Sequence, residues 1–187
     1  MDYQSTRGGE RGVSPSLAIV KGLAADGGLF VPDSIPKLSK SLRELSELSY
    51  QDLAYEMMKL YLTDFTEEEL RFCIRSAYDD KFDCPEIAPV VKEGKFFYLE
   101  LFHGKTLAFK DMALSILPYL LKVSTRKNNI KEKIVILTAT SGDTGKAAME
   151  GFSDVEGTEI IVFYPKDGVS DFQERQMKVQ KGKNTHV

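Results

Sequence analysis

Lys110 stands where two residue patterns meet, in the segment LFHGKTLAFKD from Leu101 to Asp111. The residues before it, Lys95 to Phe102 (KFFYLELF), are aromatic and apolar enough to pair in a sheet. Those after it, Ala113, Leu114, Leu117, Leu120 and Leu121, recur at helical spacing. An amine at a helix N-terminus meets the partial positive charge of unpaired backbone N–H groups. That charge disfavours the ammonium and frees the amine to attack a carbonyl, as a Schiff-base lysine must. The same position is compatible with an ordinary solvated side chain, so the motif needs a partner.

The partner is Lys133 to Ala148, KIVILTATSGDTGKAA. Its apolar run, Ile134 to Leu137, predicts a strand. Ser141, Gly142, Asp143, Thr144 and Gly145 predict a Gly-rich turn, and the small residues beyond it a helix. Such a turn binds anions: glycines let a ligand approach the backbone, and N–H groups with the helix dipole attract a carboxylate or phosphate. The hydroxyls of Ser141 and Thr144 add donors, whereas Asp143 would repel an adjacent anion and so faces elsewhere. A tight strand-to-helix turn capped by Ser or Asp explains the same composition.

The elements that must position these residues fall into two parts. From Ser14 to Tyr78 the pattern is mostly helical. Ser14-Pro15 caps one helix, which ends by Asp26-Gly27-Gly28; another runs from Tyr50 through Leu62; Thr66 with Glu69 forms a capping box for a third, with Leu70, Cys73, Ile74 and Ala77 on one face. The stretch with Pro85 and Pro89 reads as a boundary. This gives a helical domain over 1–80, a linker over 81–94 and the first part of an α/β domain over 95–187. In the last part a strand at Phe96–Phe102 precedes a helix reaching Arg126 with a kink at Pro118. A strand at Ile134–Thr138, a helix from Thr144, a strand at Glu159–Tyr164 and a helix at Ser170–Lys181 follow. That alternation predicts parallel strands with crossover helices, and function at the C-terminal strand ends.

With these motifs in view, the chain resembles threonine synthase, a pyridoxal-phosphate enzyme of the tryptophan-synthase-β-like group. The resemblance rests on YQSTRG at Tyr3–Gly8, KGLAADGGLFVP at Lys21–Pro32, LFHGKTLAFKD at Leu101–Asp111 and TATSGDTGKAA at Thr138–Ala148. It implies a helical N-terminal domain followed by the beginning of a parallel-sheet domain of pyridoxal-phosphate fold type II. It makes Lys110 the lysine that carries pyridoxal 5′-phosphate and later shuttles protons, a catalytic and cofactor-binding residue. The 141–145 loop then faces the bound amino acid and the cofactor ring, with Ser141, Gly142, Thr144 and Gly145 on the substrate and Asp143 on the cofactor. His103 is counted with the substrate ligands, as a donor to its phosphate, although it could equally cap the strand end. Asp111 reads simply as a favourable charge in a first helical turn, and Arg7 as a structural ion-pair partner. The implied reaction is that of a carbon–oxygen lyase acting on phosphates: O-phospho-L-homoserine and water give L-threonine and phosphate.

Two departures from the family pattern are visible. Lys105 stands where the family usually has proline after His-Gly, which loosens the loop and adds a cation. The Gly-rich cradle for the cofactor phosphate and the partner of the pyridine nitrogen belong to a later portion of the family and are not identifiable, so the chain is expected to be an N-terminal fragment without activity of its own. The alternatives are another fold type II amino-acid lyase or dehydratase, and a non-catalytic threonine-synthase-like interaction module. A nucleotide P-loop at Gly142–Lys146 is excluded because Thr140 and Ala147 occupy positions that need glycine and Ser or Thr.

Composition restricts the remaining classes. A formal charge of −3 argues against a nucleic-acid surface, and no apolar run approaches the length of a membrane span. Cys73 and Cys84 lack any CxxC spacing, so neither a metal site nor a disulfide framework is expected. The expected location is the cytoplasm.

Overall fold

Side-chain caps set where most helices begin. The structure, a computed structural model, describes residues 1–140 and 142–187 and divides into two units, 1–76 with 119–131 and 77–118 with 132–187.

In the first unit β1 (Tyr3–Ser5) pairs antiparallel with β2 (Phe30–Pro32). Between them runs α1 (Pro15–Lys21), where Ser14 Oγ accepts from Leu17 N at 3.4 Å and Gly22, at φ 68°, ends the helix. The N-terminal stretch is tied down by Asp26, whose carboxylate accepts from Ser5 Oγ, Gly9 N and Gly28 N. Next come α2 (Leu42–Ser46), with a Ser41/Glu44 capping box, and α3 (Tyr50–Tyr61), capped by Ser49. In α4 (Glu67–Ala77) the expected Thr66/Glu69 box is present in both directions, at 2.9 and 3.2 Å. Leu70, Cys73 and Ile74 on the apolar face of α4 and Leu120, Leu121 and Val123 from the returning segment are all buried within this unit. Burial pushes the Cys73 thiol up to about 12, so it is a core residue. Glu69 also accepts from Arg126 and Lys127, at 2.8 and 3.0 Å.

The second unit departs from expectation at its first strand. Rather than joining the parallel sheet, Phe96–Leu99 forms β4 of an antiparallel hairpin with β3 (Val90–Glu93), turned at Gly94 with φ 59°. The sequence VVKEGKFFYL is a strand, a Gly turn and a strand, and the local pairing prevails over the crossover. All eight strand residues are exposed. The expected linker is not featureless either: Phe82 and Ile87 within it are buried.

The helix predicted from Lys110 to Arg126 is two helices, α5 (Asp111–Leu114) and α6 (Leu117–Lys127), broken at Ser115-Ile116. Pro118 has no N–H to return to the Leu114 carbonyl, and in the first turn of α6 that loss costs nothing. Parallel strands then follow in the order β5 (Ile134–Ala139), β6 (Thr158–Phe163), β7 (Thr185–His186), with α7 (Asp143–Phe152) and α8 (Asp171–Lys178) as crossovers. The sheet packs one face on buried Ala147, Ala148, Met149, Phe152 and Met177, with Ile160 and Val162 at its centre. Alternate residues of β5 point the other way, leaving Val135 and Leu137 51% and 68% exposed. Thus the mixed α/β architecture with a parallel sheet is as expected, apart from the hairpin. Among the described residues no helix is long and apolar enough to cross a membrane.

Candidate active site

Lys110 sits at the N-cap of α5, with φ −59° and ψ −26°, and its carbonyl accepts from Ala113 N and Leu114 N at 3.1 and 2.9 Å. The side chain is half-buried, and its ammonium lies 4.9 Å from the ring centroid of exposed Phe109. Among the described residues no carboxylate pairs with it. The amine is therefore held by a helix start and an aromatic neighbour but is not neutralised.

The loop leading to Lys110 is fixed by two carboxylate clamps that the sequence did not reveal. Asp111, only 3% exposed, accepts from Thr106 N at 2.8 Å and from Thr106 Oγ1 at 2.6 Å. Its burial corrects the reading of a simple helix-start charge, because a surface aspartate would serve that purpose equally well. The second clamp is His103, whose Nδ1 lies 2.6 Å from Asp83 Oδ1 and whose Nε2 lies 2.9 Å from Glu100 Oε2. The hydrogen bonds to Glu100 and then Asp83 favour the imidazolium and raise its pKa above the ordinary value. With both nitrogens spent on carboxylates, His103 as placed is a loop tie with no donor left for a substrate phosphate. Lys105 is exposed between the clamps.

The second motif follows β5. Thr140 Oγ1 accepts from Gly142 N and Gly145 N, both at 3.1 Å, so a hydroxyl outside the predicted set caps α7. Gly142 has φ 147°, a backbone that favours glycine. Gly145 is buried, and a Cβ there would overlap Thr140 Cγ2 and come within 2.9 Å of Val162 Cγ1, so glycine permits the helix to lie on the sheet. Asp143 turns to α8, where its Oδ1 accepts from Gln173 Nε2 at 3.1 Å. Thr144 is exposed at the helix start. Ser141, expected on the substrate, lies outside the described residues.

Both motifs belong to the second unit, and α5 packs on α7. The carbonyl oxygen of Leu114, released from helical bonding by Pro118, approaches Gly151 so closely that a Cβ would overlap it. Among the described residues no cluster of His, Cys, Asp and Glu could hold a metal ion. The second unit thus presents a lysine at a helix start and a Gly-rich turn after its first parallel strand.

That arrangement can be compared with known proteins. Residues 2–78 match the family model described as the threonine synthase N terminus. The threonine synthase of Schizosaccharomyces pombe is 39% identical over 197 residues, an alignment covering 100% of this chain and 38% of that protein. The crystal structure of threonine synthase from yeast superposes with a TM-score of 0.88 at 34% identity, over 98% of this chain and 39% of that one. A pyridoxal-phosphate-bound threonine synthase from Brucella melitensis gives a TM-score of 0.83 at 35% identity, over 95% and 38%. The chain is similar in sequence and in fold to the N-terminal part of these threonine synthases, and it spans about two-fifths of their length.

The cofactor bound in the Brucella relative can be tested against the residues present. Its aldehyde needs an amine that is reachable and not locked in an ion pair, and Lys110 is half-buried, unpaired among the described residues and flanked by an aromatic ring. The residues fit that end of the cofactor.

Proposed function

We propose that this chain forms the front part of a threonine synthase site, in which pyridoxal 5′-phosphate held through Lys110 serves the conversion of O-phospho-L-homoserine and water to L-threonine and phosphate. The observation that carries the reading is the Lys110 amine at the start of α5, unpaired among the described residues, in a chain similar in sequence to threonine synthases. When bound, the cofactor supplies an electron sink for charge developing at the α and β carbons of the amino acid.

The chain's own residues do the rest. Lys110 holds the cofactor and then moves protons at Nζ, an amine with no carboxylate partner among the described residues. Thr144 would orient the amino-acid carboxylate at the α7 N-terminus, where backbone dipoles and its exposed hydroxyl favour an anion, while Gly142 and Gly145, their amides donating to Thr140, shape the turn. Asp143, oriented by Gln173, would serve on the cofactor side of the site. His103 contributes by holding the loop that ends in Lys110. The cytoplasm is the proposed location, and the small phosphorylated amino acid the proposed partner.

Borohydride reduction in the presence of pyridoxal phosphate, followed by peptide mapping, tests the assignment. The pyridoxyl label is expected on Lys110 and is lost in Lys110→Ala while the circular dichroism spectrum is kept. A dominant label on another lysine would sink the reading.

A further inference from the structure

We propose that Asp111 is the positioning residue for Lys110, holding the turn at 104–107 against the helix start from which the lysine side chain departs. The inference rests on the reading of Lys110 as the cofactor lysine, and it extends that reading to a residue whose role there was unassigned. Four observations carry it. First, α5 is only four residues long, too short to hold its own first turn rigid, so the geometry of Lys110 must be imposed from outside the helix. Second, the Asp111 carboxylate is 3% exposed, and both oxygens accept from one residue, Thr106, through its amide and its hydroxyl. Third, Gly104 leaves no room for a side chain, because a Cβ there would lie 2.5 Å from Asp111 Oδ2 and 2.6 Å from Asp111 Cβ. The turn is closed onto the carboxylate from the other side. Fourth, Leu107 is held at φ 62°, a left-handed conformation that leucine rarely adopts and that persists only where the surroundings impose it.

Charge alone does not explain this arrangement. Among the described residues no cation pairs with Asp111, so its attachment to the loop is through neutral donors. Nor does it pair with the Lys110 ammonium, so its influence on that amine runs through the backbone. A positioning role predicts that Asn, which keeps one acceptor and can donate to the Thr106 hydroxyl, substitutes well. A charge role predicts that Asn fails like Ala.

The test uses the full 187-residue chain as wild type, Asp111→Ala, Asp111→Asn, Thr106→Val and Gly104→Ala. Each is reduced with borohydride over pyridoxal phosphate, and the label on Lys110 is measured relative to that on the other lysines. Amide hydrogen exchange over residues 104–114 is followed in parallel. Asp111→Ala removes both hydrogen bonds to Thr106 and is expected to lower the relative Lys110 label at least about tenfold, the effect of losing a single charge-assisted one, and to speed exchange in that segment. Thr106→Val and Gly104→Ala should move both readouts the same way, while Asp111→Asn stays near wild type. Where Asp111→Ala does not fold, Thr106→Val carries the decision.

A folded Asp111→Ala or Thr106→Val chain with unchanged Lys110 selectivity overturns the proposal. So does an Asn variant as impaired as the Ala variant. If wild type shows no selective Lys110 label, the functional reading fails instead. The positioning claim is then decided without cofactor, by reductive methylation with formaldehyde and cyanoborohydride. In that assay the Lys110 to Lys105 reactivity ratio should shift toward one in Asp111→Ala, and an unmoved ratio refutes it.

Discussion

Replacing Gly151 by alanine should reverse the usual sign of a glycine-to-alanine change in a helix. In an exposed helix interior the exchange stabilises by about 1 kcal/mol, because alanine loses less backbone freedom. Gly151 is the penultimate residue of α7, and its missing side chain is where α5 comes closest. A Cβ there would overlap the Leu114 carbonyl oxygen and lie 3.0 Å from its carbon. Ordinary carbon–carbon contact is about 3.5 to 4.0 Å, and backbone atoms cannot rotate away as a flexible side-chain tip can. Relief requires α5 to retreat by roughly 1 Å, an overpacking that costs about 3 kcal/mol at the upper end of measured cases. Set against the propensity gain, the net loss is about 2 kcal/mol. For a unit of about 100 residues that lowers the melting temperature on the order of 10 °C. Thermal unfolding followed by circular dichroism reads the shift directly. A Gly151→Ala chain melting at or above wild type would refute the close approach of α5 to α7, and with it the account of how Pro118 frees the Leu114 carbonyl.

Other outcomes follow from the same geometry. Thr140→Val removes the acceptor for two amides at the start of α7 and should destabilise by about 2 kcal/mol in urea titration, with Thr140→Ser near wild type. His103 has its pKa raised in the folded chain, so its clamp contributes fully below the unfolded value of about 6.5 and is lost as pH rises through the folded value. Protection factors of amides 100–106, taken relative to the intrinsic base-catalysed rate, should therefore fall as pH rises above about 6.5 in wild type, and pH-independent protection would remove the imidazolium from the account. Asn184 donates to the Phe152 and Thr158 carbonyls and accepts from Asp154 N, so Asn184→Ala should cost about 2 to 3 kcal/mol and release β7; unchanged melting would contradict it. In a chimera carrying the rest of the Schizosaccharomyces pombe relative, Thr144→Val should weaken the substrate complex by about 1.5 to 3 kcal/mol with little change in cofactor retention, measured by titration with an unreactive analogue.

What the sequence disclosed depended on the range of the interaction. Ser14, Thr66 and Ser170 announce helix starts because a cap acts within three residues, and β5 and β6 announce themselves as apolar runs. The lysine and the Gly-rich turn were legible for the same reason. Asp111 was not, because its burial depends on Gly104 and Thr106 folding back over it, and nothing in the local pattern distinguishes that from a surface first-turn aspartate. Thr140 carries a readable signal, a hydroxyl two residues before a glycine at a strand end, beside the more conspicuous hydroxyls of Ser141 and Thr144. β3 was hidden because four residues with Lys and Glu at their end read as a linker until the Gly94 turn is recognised. The break at Ser115 lies three residues ahead of the proline that causes it.

The first unit is discontinuous, and that has a consequence for how the chain is made. Its N-terminal stretch ends at Ser76, yet the segment that completes it, Tyr119–Lys131, is synthesised only after the whole Lys110 region. At translation speeds of about 5 to 20 residues per second, the 42 intervening residues, 77–118, occupy about 2 to 8 s. During that interval Leu70, Cys73 and Ile74 lack the Leu120, Leu121 and Val123 side chains buried in the same unit, and Glu69 lacks its two cations. The nascent chain must therefore pass through seconds of exposed apolar helix before its first unit can close, a window in which ribosome-associated chaperones would find their target.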